Sequence, residues 1–180
     1  MISLKSQITQ KVLNYFFINP TAKCYINELA KILKVDPKNL LRKLNELEKE
    51  GLLISEFSGR QKYYYLNKSF SFLKLYKEMF LKTLGIENIL KKIVNSDSKI
   101  IEAYIFGSYA NNKMDKISDI DLLIIGKHSS IDIINKINKI QKEIGREINI
   151  INLSPEEFKK KKQTDNLLIN IFLNKIIRLK

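Results

Sequence analysis

Two aspartates separated by one residue, Asp119 and Asp121, are the side chains in this sequence that most clearly predict chemistry. They lie in an apolar run, Ile117 to Ile125, that we expect to be a strand. Side chains alternate faces along a strand, so both carboxylates point to the same side. Neighbouring carboxylates repel each other. A hard cation compensates this repulsion, because Mg²⁺ takes one or two carboxylates and completes its shell with water and phosphate oxygens. The pair therefore predicts a Mg²⁺ or Mn²⁺ site.

A Gly-Ser pair, Gly107 and Ser108, follows a second apolar strand that ends at Phe106. If this pair opens a helix, its backbone N–H groups and its hydroxyl are available to a phosphate. Glycine also lets the backbone approach a ligand closely. Together with the aspartates, the pair predicts a site for a metal-bound nucleoside triphosphate. The alternative is purely structural, with Asp119 capping a turn and Asp121 on an exposed edge strand.

The order Gly107-Ser108, then Ser118-Asp119-Ile120-Asp121-Leu122, resembles the signature of the nucleotidyltransferases related to DNA polymerase beta. The smallest members are minimal nucleotidyltransferases of the MntA type, which are often antitoxins. The resemblance covers the C-terminal half and implies a mixed sheet flanked by helices. It implies that Asp119 and Asp121 are catalytic metal ligands and that Gly107 and Ser108 hold the triphosphate. The implied reaction moves a nucleoside monophosphate from ATP or another NTP to a hydroxyl, in antitoxin members on a toxin-like protein.

The resemblance also implies a third carboxylate from the following strand, expected at Arg146 to Leu153, and Asn149 falls at its place. An amide cannot accept a proton and is a poorer metal ligand than a carboxylate. Glu147 lies two residues earlier on the same face of that strand, about 7 Å away. It either substitutes for the missing carboxylate or is a surface residue paired with a lysine. Nucleotide and metal binding are thus better supported than turnover.

The charge of the chain favours polyanionic partners. Its 180 residues carry a net charge of +13, with a pI near 9.7, as expected for proteins that bind nucleotides or nucleic acid. The excess is +9 over residues 1–95 and +4 over residues 96–180. The basic character therefore belongs mainly to the N-terminal half.

Several classes of site and location are excluded by single-residue counts and by the apolar runs. One cysteine, Cys24, forms no internal disulfide, and one histidine, His128, supports neither a histidine metal site nor a catalytic triad. We find no secretory signal and no apolar stretch near the 18 or so residues that span a bilayer. We expect a cytoplasmic protein without a membrane segment.

The N-terminal third predicts three helices followed by a hairpin. The third helix begins with Asp36 as N-cap and Pro37 at its first position, and it ends before Gly51. Leu40, Leu44 and Leu47 form its buried stripe. Two short strands follow, with a basic tip at 58–60 between them.

This order is similar to that of winged helix-turn-helix transcription regulators over residues 5–67. The resemblance implies that the third helix enters the major groove of duplex DNA and that the hairpin, or wing, reaches the DNA backbone or minor groove. Base edges and phosphates are then contacted by residues of the helix and the wing: Lys38, Asn39, Arg42, Lys43, Arg60 and Lys62. The alternatives are a solvated helix face and a protein-interaction or dimerisation module, and such proteins commonly form homodimers.

The whole chain is therefore expected to be α+β, with a winged helix-turn-helix domain at 1–68, a linker helix at 69–85 and a minimal nucleotidyltransferase domain at 86–180. Two functions follow. The first is an active nucleotidyltransferase with a DNA-binding winged helix. The second is a DNA-binding transcriptional regulator whose transferase domain only senses nucleotide, because Asn149 replaces the third carboxylate.

Overall fold

The computed structural model describes residues 4–115 and 117–180, which form two compact units. The first runs to Asn88 and includes Lys142–Gly145, and the second comprises Ile89–Gln141 and Arg146–Lys180. Residues 1–3 of the predicted first domain, and Lys116, lie outside the described residues. The division at 68 and 85 stays a prediction.

The first unit has the predicted order of three helices and a hairpin, and a fourth helix follows. Its elements are α1 (Gln7–Ile18), β1 (Cys24–Tyr25), α2 (Ile26–Leu33), α3 (Pro37–Lys49), β2 (Leu53–Ser58), β3 (Gln61–Leu66) and α4 (Leu73–Thr83). The three strands form an antiparallel sheet of order β1-β3-β2. Helix α5 (Ile86–Asn95) begins after the break predicted at Gly85.

Helix α3 has both the N-cap and the buried apolar face that its sequence predicts. Asp36 Oδ1 accepts a hydrogen bond from the Asn39 N–H at 2.9 Å, and Pro37 occupies the first turn. The predicted stripe of Leu40, Leu44 and Leu47 is buried. A cap that satisfies free N–H groups and an apolar face that leaves water together fix the helix and its orientation.

The second unit contains a four-stranded mixed sheet flanked by helices, as predicted. Its elements are β4 (Ile100–Phe106), α6 (Gly107–Ala110), β5 (Ile120–Gly126), α7 (Ser130–Ile144), β6 (Ile148–Leu153), α8 (Pro155–Lys161), α9 (Asn166–Leu173) and β7 (Ile177–Arg178). The strand order is β6-β5-β4-β7, with β5 and β6 parallel and the other pairs antiparallel.

The central strand β5 is apolar because both faces of the sheet are covered. Leu123 and Ile125 pack with Tyr104 and Phe106 of β4 and with Leu168 and Ile171 of α9. Leu122 and Ile124, which point to the opposite face, are also fully buried. Strands buried on both faces read as continuous apolar runs rather than alternating ones. Asp121 is the polar exception in this strand.

Strand β5 begins three residues later than predicted. We expected it from Ile117, but Ile117 is 87% exposed and the strand starts at Ile120, so Asp119 immediately precedes it. A side chain, and not a neighbouring strand, is the hydrogen-bond partner of the backbone here. Asp115 Oδ1 accepts hydrogen bonds from the N–H groups of Ile117 and Ser118. Such an Asx turn competes with ladder pairing.

Within the described residues, no helix has the length and apolar character needed to cross a bilayer.

Candidate active site

Strand pairing brings the predicted site residues to one place in the second unit. Phe106, the last residue of β4, is paired with Asp121, and Asp121 is paired on its other side with Asn149 of β6. Because Gly107 directly follows Phe106 and Asp119 directly precedes β5, the backbone positions of all of them converge. Register thus assembles a site from three segments that are separate in the sequence.

Gly107 is required by two features of the backbone. Its φ is +71°, a conformation that costs other residues roughly 1–2 kcal/mol. A Cβ built on Gly107 would also overlap Asp121 Oδ2 and lie 3.2 Å from Asp121 Cγ. Gly107 therefore lies directly against the Asp121 carboxylate. Its predicted close approach to a phosphate stays a prediction.

Ser108 contacts the segment that carries Asp119. Its hydroxyl donates to Met114 Sδ at 3.2 Å and to the carbonyl oxygen of Asp119 at 3.4 Å. The short helix α6 opens at Gly107, as the phosphate-binding hypothesis expects. The Gly-Ser pair thus adjoins both aspartates.

Asp119, Asp121 and Asn149 form a cluster that we call the Asp–Asn cluster. Asn149 Nδ2 donates to Asp119 Oδ2 at 3.1 Å. Burial raises the pKa of Asp121, a hydrogen bond from Asn149 opposes this shift, and the negative charge of Asp119 adds to it. Two half-buried carboxylates that destabilise each other have the electrostatics of a cation site.

The donor set of this cluster fits Mg²⁺ or Mn²⁺. Asp119 and Asp121 supply hard oxygen ligands, which is what these ions prefer. The described residues contain no group of three or more His, Cys, Asp or Glu side chains placed to hold a metal. A cation here would accordingly need water and phosphate oxygens to complete its shell, as Mg²⁺ sites with bound nucleotide do.

The raised pKa of Asp121 gives a stability prediction. When a carboxyl has a higher pKa in the folded protein than in the unfolded one, the folded protein loses stability as pH rises through that folded-state pKa. At pH 7 without metal, the charged Asp121 therefore destabilises the second unit. Asp121→Asn should raise the Tm of the metal-free protein, because it removes a charge that burial and the nearby Asp119 disfavour. Thermal unfolding with chelator at pH 7 measures this. Glu147→Gln removes an exposed carboxylate nearby and should leave the Tm unchanged. A Tm for Asp121→Asn at or below wild type would contradict the prediction.

The position of Glu147 does not favour it as the third carboxylate. Its side chain is exposed, and it precedes β6 rather than lying in it. Its backbone oxygen accepts a hydrogen bond from Ile120 N–H at 3.0 Å. Among the described contacts its side chain makes none to the Asp–Asn cluster, whereas Asn149 contacts the cluster directly.

Sequence reasoning missed Arg146, which is only 8% exposed. Its guanidinium donates to the carbonyl oxygens of Ser118 and Asp115. A signal was present, because Arg146 has the same phase as the buried Ile148 in the strand predicted from Arg146 to Leu153. A charged residue in an apolar phase indicates a buried polar contact.

The predicted DNA-contacting residues of the first unit fall into two groups. Lys38, Asn39 and Arg42 are exposed on α3, as is Arg60 at the hairpin tip. Lys43 Nζ lies 2.6 Å from Glu46 Oε2, and Lys62 Nζ lies 2.8 Å from Glu48 Oε2.

Lys62 is held further by the face of the Tyr64 ring, 4.9 Å from its ammonium. The hydrogen bond to Glu48 raises the pKa of Lys62. These two lysines are therefore partly neutralised within the unit. Arg42 of the first group also has an acidic neighbour, because its Nε lies 4.0 Å from Glu46 Oε1.

Comparison with known proteins gives one family match. The model of the family described as Nucleotidyltransferase domain matches residues 87–178. A search of curated proteins returns no match.

Similar solved structures include a toxin–antitoxin with AMP-PNP, which is 18% identical with a TM-score of 0.39 over 52% of this chain and 72% of that one. A tri-AMPylated Shewanella oneidensis HEPN toxin in complex with MNT antitoxin is 16% identical, with a TM-score of 0.34 over 52% and 68%. The archaeal chromatin protein TrmBL2 is 14% identical, with a TM-score of 0.29 over 88% and 67%. All three TM-scores are below 0.5, so no property of these proteins is assigned to this chain. The family assignment rests on the match over residues 87–178.

Proposed function

Because the chain belongs to the nucleotidyltransferase domain family through residues 87–178, we propose that it transfers a nucleoside monophosphate from an NTP, with ATP as the first candidate, to a hydroxyl acceptor. The observation that carries the proposal is the strand register that sets Asp121 between Phe106 and Asn149. That register brings Gly107, Ser108, Asp119 and Asp121 to one edge of the sheet.

In this proposal Asp119 and Asp121 hold Mg²⁺ or Mn²⁺ together with the triphosphate. When bound, the ion neutralises phosphate charge and orients the in-line displacement. The raised pKa of Asp121 supports the assignment, because a nearby cation favours the charged carboxylate that burial disfavours. The chain therefore supplies a pair of carboxylates whose electrostatic cost is relieved by the substrate complex.

The transfer reaction requires a base that accepts the proton of the acceptor hydroxyl. The acceptor hydroxyl oxygen forms a bond to the α-phosphorus, the bond from that phosphorus to the β-phosphate oxygen breaks, and pyrophosphate leaves. The acceptor proton has to reach a base. Asn149 cannot take it, because an amide nitrogen and its carbonyl are not basic at neutral pH. Turnover therefore relies on water or on a carboxylate outside the Asp–Asn cluster.

A direct test is calorimetric titration with ATP. We expect wild type to bind ATP in the presence of Mg²⁺ and to lose most of that affinity with chelator, because the carboxylates alone repel the triphosphate. Asp119→Ala should remove the Mg²⁺-dependent part, and Glu147→Gln serves as the control. Equal ATP affinity with Mg²⁺ and with chelator would overturn the assignment of the metal.

We also propose that residues 1–68 are a winged helix-turn-helix domain that binds duplex DNA, followed by a linker helix at 69–85 and the transferase domain at 86–180. The support is the order α1, α2, α3 and hairpin, together with exposed Lys38, Asn39 and Arg42 on α3. A homodimer would let two copies of α3 read two half-sites. The proposed acceptor is a hydroxyl on a toxin-like protein.

The DNA proposal predicts a charge-specific loss. Arg42→Ala and Arg60→Ala should each weaken binding to duplex DNA and reduce the slope of log K against log salt by about 1, because each removes one phosphate contact. Lys62→Ala should do less, since Lys62 is paired with Glu48. Lys74→Ala, an exposed lysine on α4, is the matched control. Fluorescence anisotropy at several salt concentrations measures both quantities. Slopes that match wild type for both arginine variants would exclude this surface.

A second candidate function is a DNA-binding regulator that senses nucleotide without turnover. The observation in its favour is Asn149, whose amide donates to Asp119 at the place of a carboxylate. This hypothesis predicts that Mg²⁺-ATP changes the affinity of wild type for DNA and has no effect on Asp119→Ala. Equal DNA affinity of wild type with and without nucleotide would exclude it.

A further inference from the structure

The segment that presents Asp119 is attached to a buried guanidinium. Arg146 lies just before β6, and its Nη1 donates to the carbonyl oxygen of Ser118 at 2.5 Å. Its Nη2 donates to the carbonyl oxygen of Asp115 at 2.5 Å. Ser118 and Asp119 share one peptide bond, so a group that fixes the Ser118 carbonyl also fixes the plane from which Asp119 projects.

The same segment is closed on itself by the Asp115 carboxylate. Asp115 Oδ1 accepts from the N–H of Ile117 at 3.0 Å, the N–H of Ser118 at 2.8 Å and the hydroxyl of Ser118 at 2.6 Å. The Ser118 hydroxyl lowers the pKa of Asp115 most, followed by the Ile117 N–H, with a smaller contribution from the charge of Arg146. These hydrogen bonds join Asp115 to Ile117 and Ser118, and Arg146 links Asp115 and Ser118 to the start of β6.

A structural role alone would not call for arginine at this position. Removing a guanidinium from water is costly, and a core residue such as methionine would fill the volume without that cost. What arginine adds is a planar fork that donates to two separate carbonyl groups at once. Both of these carbonyls belong to the turn that leads into Asp119, one residue before the strand begins.

We propose that Arg146 is a positioning residue that orients Asp119 toward the metal-bound nucleotide by holding the carbonyl groups of Asp115 and Ser118. The inference rests on the proposed function. Arg146 contacts neither the metal nor the nucleotide, and it acts through the carbonyl groups of Asp115 and Ser118. A substitution of Arg146 should therefore lower the affinity for the metal ion in a protein that still folds.

The test measures Mn²⁺ binding by electron paramagnetic resonance in the presence of ATP, whose phosphate oxygens complete the shell of the ion, beside the Tm of each variant. Arg146→Gln should weaken Mn²⁺ binding by about 10-fold or more, the usual effect of losing a residue that orients a ligand. Arg146→Lys keeps the charge and one hydrogen bond and should recover part of the affinity. Leu168→Ala, in the apolar cluster of α9, is the control that lowers the Tm without touching the turn.

The outcomes separate this inference from the proposed function. Weaker Mn²⁺ binding by Arg146→Gln, with partial recovery in Arg146→Lys and wild-type binding in Leu168→Ala, supports it. Unchanged Mn²⁺ affinity in folded Arg146→Gln, or equal losses in Leu168→Ala, overturns it and leaves the proposed function intact. If Arg146→Gln does not fold, the same comparison is made with Arg146→Lys. A wild-type protein that binds no Mn²⁺ overturns both proposals.

Discussion

Gly107→Ala should weaken Mg²⁺-ATP binding by about 100-fold or more, because the new methyl group cannot coexist with the Asp121 carboxylate. The Cβ would overlap Asp121 Oδ2 and lie 3.2 Å from Asp121 Cγ. Asp121 is in register with Phe106 on β4 and with Asn149 on β6, so its backbone cannot retreat. The carboxylate must then rotate away from Asp119, and a displaced direct ligand costs more than the 10–100-fold typical of supporting residues.

The chain supplies a matched control for the backbone part of this effect. Gly59, at the hairpin tip, has φ +58°, and a Cβ there has nothing within 4 Å. Gly59→Ala therefore carries a similar conformational cost of about 1–2 kcal/mol without any clash. It should lower the Tm and leave Mg²⁺-ATP affinity unchanged. Calorimetry on both variants separates the two terms. ATP affinity of Gly107→Ala within a few-fold of wild type would show that Asp121 does not bind the ion.

Asn149→Asp should raise the rate of nucleotidyl transfer by about 10²–10⁴-fold, the range that a positioned general base contributes. Asn149 is paired with Asp121, and its amide already reaches Asp119. A carboxylate there could accept the acceptor proton or bind a second ion. Metal-free protein should become less stable at neutral pH, because a third negative charge repels the two carboxylates that are already there.

The control for this substitution lies on the same strand. Asn152→Asp adds the same charge three residues along β6, where Asn152 Oδ1 is 2.8 Å from His128 Nε2 rather than near the cluster. It should leave transfer unchanged. Single-turnover measurement of pyrophosphate release with saturating Mg²⁺-ATP gives the rates. A rate for Asn149→Asp no higher than wild type would mean that the missing carboxylate is not what limits turnover.

Local patterns were sufficient to predict most of the fold. Asp36-Pro37 predicted the start of α3, and the stripe of Leu40, Leu44 and Leu47 predicted its buried face. Such features depend on caps and periodicity, which reside in a few neighbouring residues. The prediction that Asp119 and Asp121 face one way assumed that both lie in one strand, whereas β5 begins at Ile120, after Asp119.

Features that depend on distant partners could not be predicted in the same way. The late start of β5 follows from a side-chain turn at Asp115 that is held by Arg146, 31 residues away. The pairing of Lys62 with Glu48 joins β3 to α3 across 14 residues. These outcomes depend on which side chains the tertiary structure brings together, and the local sequence around one partner does not identify the other.

The central claim is that the Asp–Asn cluster supports transfer of a nucleoside monophosphate, and label transfer tests it most directly. The protein is incubated with Mg²⁺ and ATP labelled at the α-phosphate or at the γ-phosphate, with candidate protein acceptors present, beside Asp121→Ala. We predict protein-bound label from α-labelled ATP only, and its loss in Asp121→Ala. Label that persists in Asp121→Ala, or that comes from the γ-phosphate, would contradict the claim. No label, with ATP binding that still requires Asp121, would instead favour the nucleotide-sensing regulator.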